Sequence, residues 1–325
     1  MQRYEATAEA RANIALTKYW GNADDDLRIP ANESISMTLD RTRTVTTVSF
    51  QADLKADEVV VDDRPLAGPA LERVVRHLDL LRGLAGVTWR ARVVSHNNFP
   101  TGAGIASSAS GFAALTVACA GALGLDLPPR ALSRLARRGS GSAARSVFGG
   151  FVLLHTGPSD EDAFAEPLHG PDWWEICDLV VILSRVEKRV PSTAGHHLAR
   201  TSPLHPARVA RVAALNERLR QALAERDFAT VGEIAEEDAL LMHAVMMTSR
   251  PSLVYWLPET MAIIHRVRRW REEGVQAYFT IDAGPNVHVL TLPEYVDRLL
   301  TDLRADPTVQ EVLACRPGEG ASLIG

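Results

Sequence analysis

Residues 97–125 read NNFPTGAGIASSASGFAALTVACAGALGL: a proline and closely spaced glycines, then a run of alanine, serine and larger apolar residues with no charge. Glycine and proline punctuate a chain, and Ala and Ser let a helix pack closely, so the order predicts a turn that feeds a buried helix. Within it, PTGAGIASSAS (100–110) has a second meaning. Backbone N–H groups and the positive end of the helix dipole would face a ligand there, a geometry that cradles phosphate. The hydroxyls of Ser107 and Ser108 would add donors or reach a magnesium ion. A glycine turn that merely lets the helix pack competes with this reading. No GK[ST] closes the loop, so it is not a Walker A motif, and Gly102-x-Gly104-x-x-Ser107 followed by Asp126 matches a dinucleotide fingerprint only in part.

Upstream, RTRTVTTVSF (41–50) and DEVVVDD (57–63) are β-branched runs of period-two character, predicted as antiparallel strands. Leu71, Val74, Val75, Leu78 and Leu81 fall at helical spacing before a glycine, and a further strand covers Trp89 to Ser95. Downstream, a helix over 129–138 leads into RRGSGSAARS (137–146), and DLVVILS (178–184) reads as a strand. From about residue 206 the pattern is helical. It ends in two strands, QAYFTI and VHVLTL, separated by DAGPN, and in a last helix near Pro293. Residues 185–205, interrupted by Pro191 and Pro203, carry the weakest pattern.

The chain has 325 residues, 46% hydrophobic and 23% charged, enough for a large core arranged as two domains or one bilobed unit. A net charge of −5 disfavours nucleic acid or anionic lipid as partner, although local basic pockets for small anions remain open. Cys119, Cys177 and Cys315 lie far apart, and the first twenty residues lack the apolar core of a secretory signal. No apolar run is long enough to span a membrane, so a cytoplasmic protein is expected.

Of 35 lysines and arginines only three are lysine, Lys18, Lys55 and Lys188. A chain that prefers arginine so strongly makes each retained lysine conspicuous. Lys55 and Lys188 lie in polar stretches and read as ordinary surface cations. Lys18 lies in the apolar run IALTKYW, where a charge needs a partner. RRGSGSAARS is a second anion-friendly turn, with Arg137, Arg138 and Arg145 as its cations, or else a solvated basic turn. Asp282, at the end of an apolar strand, is either a turn former or a base in a crevice. The DDD run at 24–26 reads as a solvated loop rather than a metal site, His196 and His197 as surface histidines, and His243 as a core or helix-contact residue.

Taken together, NIALTKYWG, Pro30-x-Asn32-x-Ser34-x-Ser36-x-Thr38-Leu39, NNFPTGAGIASSASGFAAL, RRGSGSAARSVFGGFV, STAGHHLARTSP and DAGPN resemble the diphosphomevalonate decarboxylase family. That family belongs to the superfamily of galactokinase, homoserine kinase and mevalonate kinase. The resemblance runs from residue 11 to 288. It implies an α+β fold of two lobes: residues 1–185 as an N-terminal lobe binding the phosphates of ATP, and 186–325 as a helix-rich lobe on an antiparallel sheet carrying Asp282. The site would lie in the cleft between them. It also implies ATP and Mg2+ as cofactors and a homodimer.

By the same resemblance Asp282 is the catalytic aspartate, Lys18 a cation at the reacting centre, and Arg145 the grip on a substrate carboxylate with Asn13 beside it. Ser140 and Ser142 would contact substrate phosphate, with Tyr19 and Ser192 as further contacts. Gly102, Gly104, Ala106, Ser107 and Ser108 would form the nucleotide phosphate loop, Ser108 also meeting the metal. One departure bears on the substrate. The family usually has lysine where this chain has Asn22, which removes a charge that a terminal β-phosphate would want. The expected substrate is therefore mevalonate 5-phosphate, with the 5-diphosphate as alternative. The family's GM is also altered, to Gly195-His196. A metabolite kinase that does not decarboxylate, a non-catalytic phosphate-binding regulator and a nicotinamide dehydrogenase are the competing functions.

Overall fold

Strand Tyr4–Ala15 is the spine of an eight-stranded sheet, paired antiparallel with the 18-residue strand Ser34–Gln51 on one side and with Ser322–Ile324 on the other. The computed structural model describes residues 4–99, 107–186, 188 and 190–325. The sequence pattern had missed this first strand. Its inward positions are alanines (Ala8, Ala10, Ala12), all fully buried, instead of the β-branched residues that mark a strand. The reason lies above Ala8 and Ala10, which share one apolar cluster with helix Ser107–Ala122. That helix packs so closely that a methyl group on Gly121 would come within 2.7 Å of Leu323 and 3.2 Å of Ala6.

The expected strand at 41–50 is the second half of Ser34–Gln51. Its first half, rich in Ser and Thr, pairs with Phe151–Leu154, which in turn pairs with Ala165–His169. Strand Arg90–Asn97 adds to the far edge of Ser34–Gln51, followed by a parallel Glu58–Val61. Helix Gly68–Ala85 starts with a proline in its first turn and stops at Gly86, whose φ of 67° is the left-handed conformation that costs glycine little. With Ser107–Ala122 and Pro129–Gly139 it covers this sheet in one apolar cluster.

A second, four-stranded antiparallel sheet has the order Ala277–Thr280, Val287–Thr291, Cys177–Ile182, Glu311–Cys315. Helices Pro258–Glu272 and Val296–Arg304 cover one face, and helices His205–Glu225 and Phe228–Thr248 the other. The architecture is α+β, as expected. Strand Cys177–Ile182, which precedes residue 186, sits in this second sheet, whereas Ser322–Ile324 sits in the first. Among the described residues the three cysteines are buried and free, and no helix is long and apolar enough to cross a membrane. The sheet around Tyr4–Ala15 is mainly antiparallel, which removes the physical basis of the dinucleotide reading: that fold needs a doubly wound parallel sheet.

Candidate active site

The end of strand Tyr4–Ala15, the turn that follows it, the helix turn at 140–146 and the DAGPN turn converge on one cavity of about 460 Å³. Asn13, Lys18, Tyr19, Ser107, Ser108, Ser140, Ser142, Arg145, Ser192 and Asp282 all line it. Gly102, Gly104 and Ala106 lie outside the described residues. The side chains named from four distant stretches of sequence therefore share one space.

Lys18 is 1% exposed and donates from Nζ to Asp282 Oδ1 at 2.6 Å and to the carbonyl of Ala15 at 2.7 Å. Asp282 keeps a quarter of its side-chain surface open toward the cavity. Burial alone would raise its carboxyl, but the Lys18 ammonium beside it, with His288 and Arg145 farther off, holds it below the usual carboxylate range. The backbone around Lys18 is clamped as well. Its N–H donates to Asp238 Oδ2 and its carbonyl accepts from Arg208, and those two side chains form an ion pair of 2.9 Å that is almost wholly buried. His243, the expected helix-contact residue, donates from Nε2 to the carbonyl of Asp282 at 3.1 Å. Burial drives its pKa down to about 3, so the ring is neutral.

Arg145 is 2% exposed and among the described residues is held by uncharged partners only, Ser34 Oγ at 2.6 Å and Asn13 Oδ1 at 3.2 Å. Asn13 is itself oriented by donating to Ser146 Oγ at 2.7 Å and to the carbonyl of Ser142. The register of the two long strands slips between Arg11 and Asn13, a bulge that re-aims the residues beyond it. A buried guanidinium bonded to neutral groups awaits an anion. Ser108, Ser140 and Ser142 form a chain of hydroxyls, with separations of 3.2 Å and 3.4 Å. A methyl group at Gly141 would come within 2.2 Å of the Tyr19 ring, so this turn closes on Tyr19 only because it has no side chain there.

Two sequence readings need correction. Lys188 is not an ordinary surface cation: it lines the cavity and donates from Nζ to Ala283 O at 2.6 Å and to Ser192 Oγ at 2.9 Å. The scarcity of lysine was the signal, and the polar neighbourhood hid it. His196 is not a surface histidine either. Its ring packs against Tyr19 and Trp20, with centroids 4.3 and 4.6 Å away, and Nδ1 accepts from the Gly21 N–H. Burial pulls its pKa down to about 3. His197 is about half exposed and pairs with Asp25. Sequence reasoning also missed the apolar wall made by Val59, Val61 and Val93 of the first sheet, Leu66 and, from its helix, Val74.

Asn22 does not line the cavity. Its Oδ1 accepts from the Tyr19 hydroxyl and its Nδ2 donates to Asp25 Oδ1 at 2.9 Å. Among the described residues no group of three or more His, Cys, Asp and Glu side chains is placed to hold a metal. A magnesium ion here would take hydroxyl and carboxylate oxygens singly, from Ser108 or Asp282, and complete its shell with phosphate and water, the coordination this ion favours.

Fold and site together define a protein of the galactokinase, homoserine kinase and mevalonate kinase type, with a cation-lined cleft built around a Lys–Asp pair. Residues 10–165 match the diphosphomevalonate decarboxylase-like N-terminal domain and residues 178–316 the mevalonate 5-diphosphate decarboxylase C-terminal domain, so the chain belongs to the diphosphomevalonate decarboxylase family. It is 38% identical over 296 residues to the phosphomevalonate decarboxylase of Haloferax volcanii, covering 91% of this chain and 90% of that one. It is 36% identical over 320 residues to the diphosphomevalonate decarboxylase of Saccharomyces cerevisiae, covering 92% and 81%. A solved structure described as MDDEF in complex with MVAPP, AMPPCP and magnesium superposes with a TM-score of 0.94 at 39% identity, over 99% of both chains.

Proposed function

We propose that the protein catalyses the ATP- and magnesium-dependent decarboxylation of mevalonate 5-phosphate to isopentenyl phosphate. The observation that carries this reading is the Lys18–Asp282 pair, buried on the lysine side and open on the carboxylate side, in a cavity whose other charged lining residues are Arg28, Arg73, Arg145 and Lys188. In the proposed chemistry Asp282, kept ionised by Lys18, orients the tertiary C3 hydroxyl and accepts its proton as the oxygen takes the terminal phosphoryl group of ATP. Lys18 and Lys188 balance the charge on the transferring group. Magnesium, when bound, would neutralise the nucleotide phosphates, with Ser107 and Ser108 at the helix end among their contacts.

The C3–O bond then breaks with its electron pair on the departing phosphate. The C1–C2 bond breaks in turn, its electrons form the C2–C3 double bond, and CO2 leaves. Arg145, fixed by Asn13 and Ser34, holds the carboxylate that becomes CO2. Ser140, Ser142 and Tyr19 face the 5-phosphate, with Ser192 on the lysine side of the cavity. ADP, inorganic phosphate, CO2 and isopentenyl phosphate balance the reaction.

The state of Asn22 favours the monophosphate. It is turned toward Asp25 and away from the cavity, so position 22 offers a β-phosphate no charge. The 5-diphosphate is the second reading, favoured by the name of the yeast relative and by the MVAPP complex. The reading extends to a cytoplasmic homodimer, for which the free buried cysteines suit a reducing compartment and light scattering after gel filtration tests the dimer. Activity is tested by incubating the protein with ATP, magnesium and each phosphorylated mevalonate while ADP and CO2 are measured together. Equal release of both, faster with the monophosphate, is the expected result. ADP without CO2 would mean a kinase, and preference for the diphosphate would transfer the assignment to the second reading.

A further inference from the structure

Among the described residues five cations line the cavity, and four of them are engaged. Lys18 has Asp282, Arg145 has Asn13 and Ser34, and Lys188 has Ser192 and the Ala283 carbonyl. Arg73 donates twice to the Gly139 carbonyl and stacks over Phe112. Arg28 is the exception. It lines the cavity and is partly buried, yet its guanidinium makes no hydrogen bond or ion pair among the described residues. Withdrawing a cation from water without a partner is unfavourable, and a site that does so is built around an anion that arrives later.

The backbone supports this. Arg28 closes the short hairpin Asn22–Asp24 to Ile29–Pro30 in a left-handed conformation, φ 52°, which a side-chain-bearing residue adopts uncommonly. The hairpin thereby brings an arginine to the rim of the cavity beside Tyr19. The nearest acid, Asp25, is already committed to Asn22, His197 and Arg200. Burial first, and then the positive field of Arg28 among other cations, depresses the proton affinity of Arg73, His77 and His196.

We propose that Arg28 is a specificity-determining residue that, from the hairpin, grips the 5-phosphoryl group of the substrate. The proposal rests on the reading that the substrate is a phosphorylated mevalonate. A guanidinium offers a planar fork of donors to a phosphate, which a single hydroxyl such as that of Ser140 or Ser142 cannot do.

ATP is the other source of phosphate in this cavity, and the experiment separates the two. Arg28→Met and Arg28→Lys are compared with the wild-type full chain by steady-state kinetics in each substrate. Calorimetric titration of mevalonate 5-phosphate and of unphosphorylated mevalonate, without nucleotide, gives the binding directly. The expected result for Arg28→Met is a loss of affinity for the phosphorylated compound of roughly 10- to 100-fold, the range of a charge-assisted contact, with KM for ATP nearly unchanged. Its preference for phosphorylated over unphosphorylated mevalonate should shrink by the same factor, which a merely structural role would not do. Arg28→Lys should fall between the two, and it serves as the test if the methionine variant does not fold. Adding Asn22→Lys to Arg28→Met should recover part of the affinity.

An unchanged affinity for mevalonate 5-phosphate would overturn the proposal, as would a wild type that binds both compounds equally, or a loss confined to ATP. Failure of the wild type to release CO2 would instead remove the proposed activity, while the nucleotide-free titration would still judge Arg28.

Discussion

Lys18 and Asp282 meet at 2.6 Å although 264 positions separate them in the chain, and the lysine is the more deeply buried of the two. The ammonium keeps the carboxylate ionised, while burial lowers the proton affinity of Lys18, a shift that Asp282 opposes; together they present one carboxylate oxygen to the cavity. Asp282→Asn and Lys18→Met should each lower kcat by about 1,000-fold or more, and the double variant should be little worse than either, because the pair acts as a unit. Single-turnover measurement of CO2 release checks this. Additive losses would mean that the two side chains work separately.

The same pair sets an expectation for acid. A carboxyl whose pKa is lowered stays ionised above its ordinary value and is protonated only as pH falls through the lowered one. Asp282 starts from 3.8 and is shifted down, so the acid limb of activity that it contributes lies below pH 3.8. An inflection of kcat between about pH 5 and 6 that vanished in Asp282→Asn would contradict its lowered pKa.

Arg145→Lys keeps the charge and loses the fork. With Asn13 and Ser34 holding its guanidinium from one side, only a planar group presents donors to both those partners and an incoming carboxylate. A fall in kcat/KM of roughly 100-fold is expected, read in the same CO2 assay. Normal turnover in this variant would end the carboxylate assignment.

Asp238→Asn tests the clamp under Lys18. Removing one charge of a pair that is 1% and 0% exposed leaves Arg208 buried without a counter-charge, which costs about 3–5 kcal/mol. Urea unfolding should show that loss, and turnover should fall with it because the Lys18 N–H donates to the same carboxylate. Unaltered stability would mean that water already reaches Arg208.

His155 bridges Glu33 and Glu166 at 2.8 Å on either side. The hydrogen bond to Glu33 is the largest influence and raises its pKa above 6.5, burial opposing and Glu166 assisting. A raised pKa gives stability that is fully present below 6.5 and is lost as pH climbs through the folded-state value. The effect should be under about 1 kcal/mol because the groups are partly solvated. Thermal midpoints on either side of that value should differ less in His155→Gln than in the wild type; an equal difference would assign the dependence elsewhere.

Much of this molecule is legible in its sequence, and the misses share causes. Helix Ser107–Ala122 is readable because nothing but burial explains sixteen residues without a charge. Strand Tyr4–Ala15 is not, because its buried positions 8, 10 and 12 are alanines, which erase the usual strand signature. Lys18 stands out against apolar neighbours, whereas Lys188 sits among polar ones and its role depends on a carbonyl 95 positions away. Arg28 is hidden among 32 arginines. Lining the cavity without a partner among the described residues distinguishes it, and that is visible in three dimensions alone.

Arg208 and Asp238 hold the backbone of Lys18 from outside the cavity wall, while Arg28 stands on a hairpin at its rim. Reactivity and selectivity are thus anchored in separate parts of the molecule. The hairpin can be recut to welcome a differently charged guest without retuning the engine beneath it, which makes residues 22–30 the natural place for evolution, or a designer, to begin.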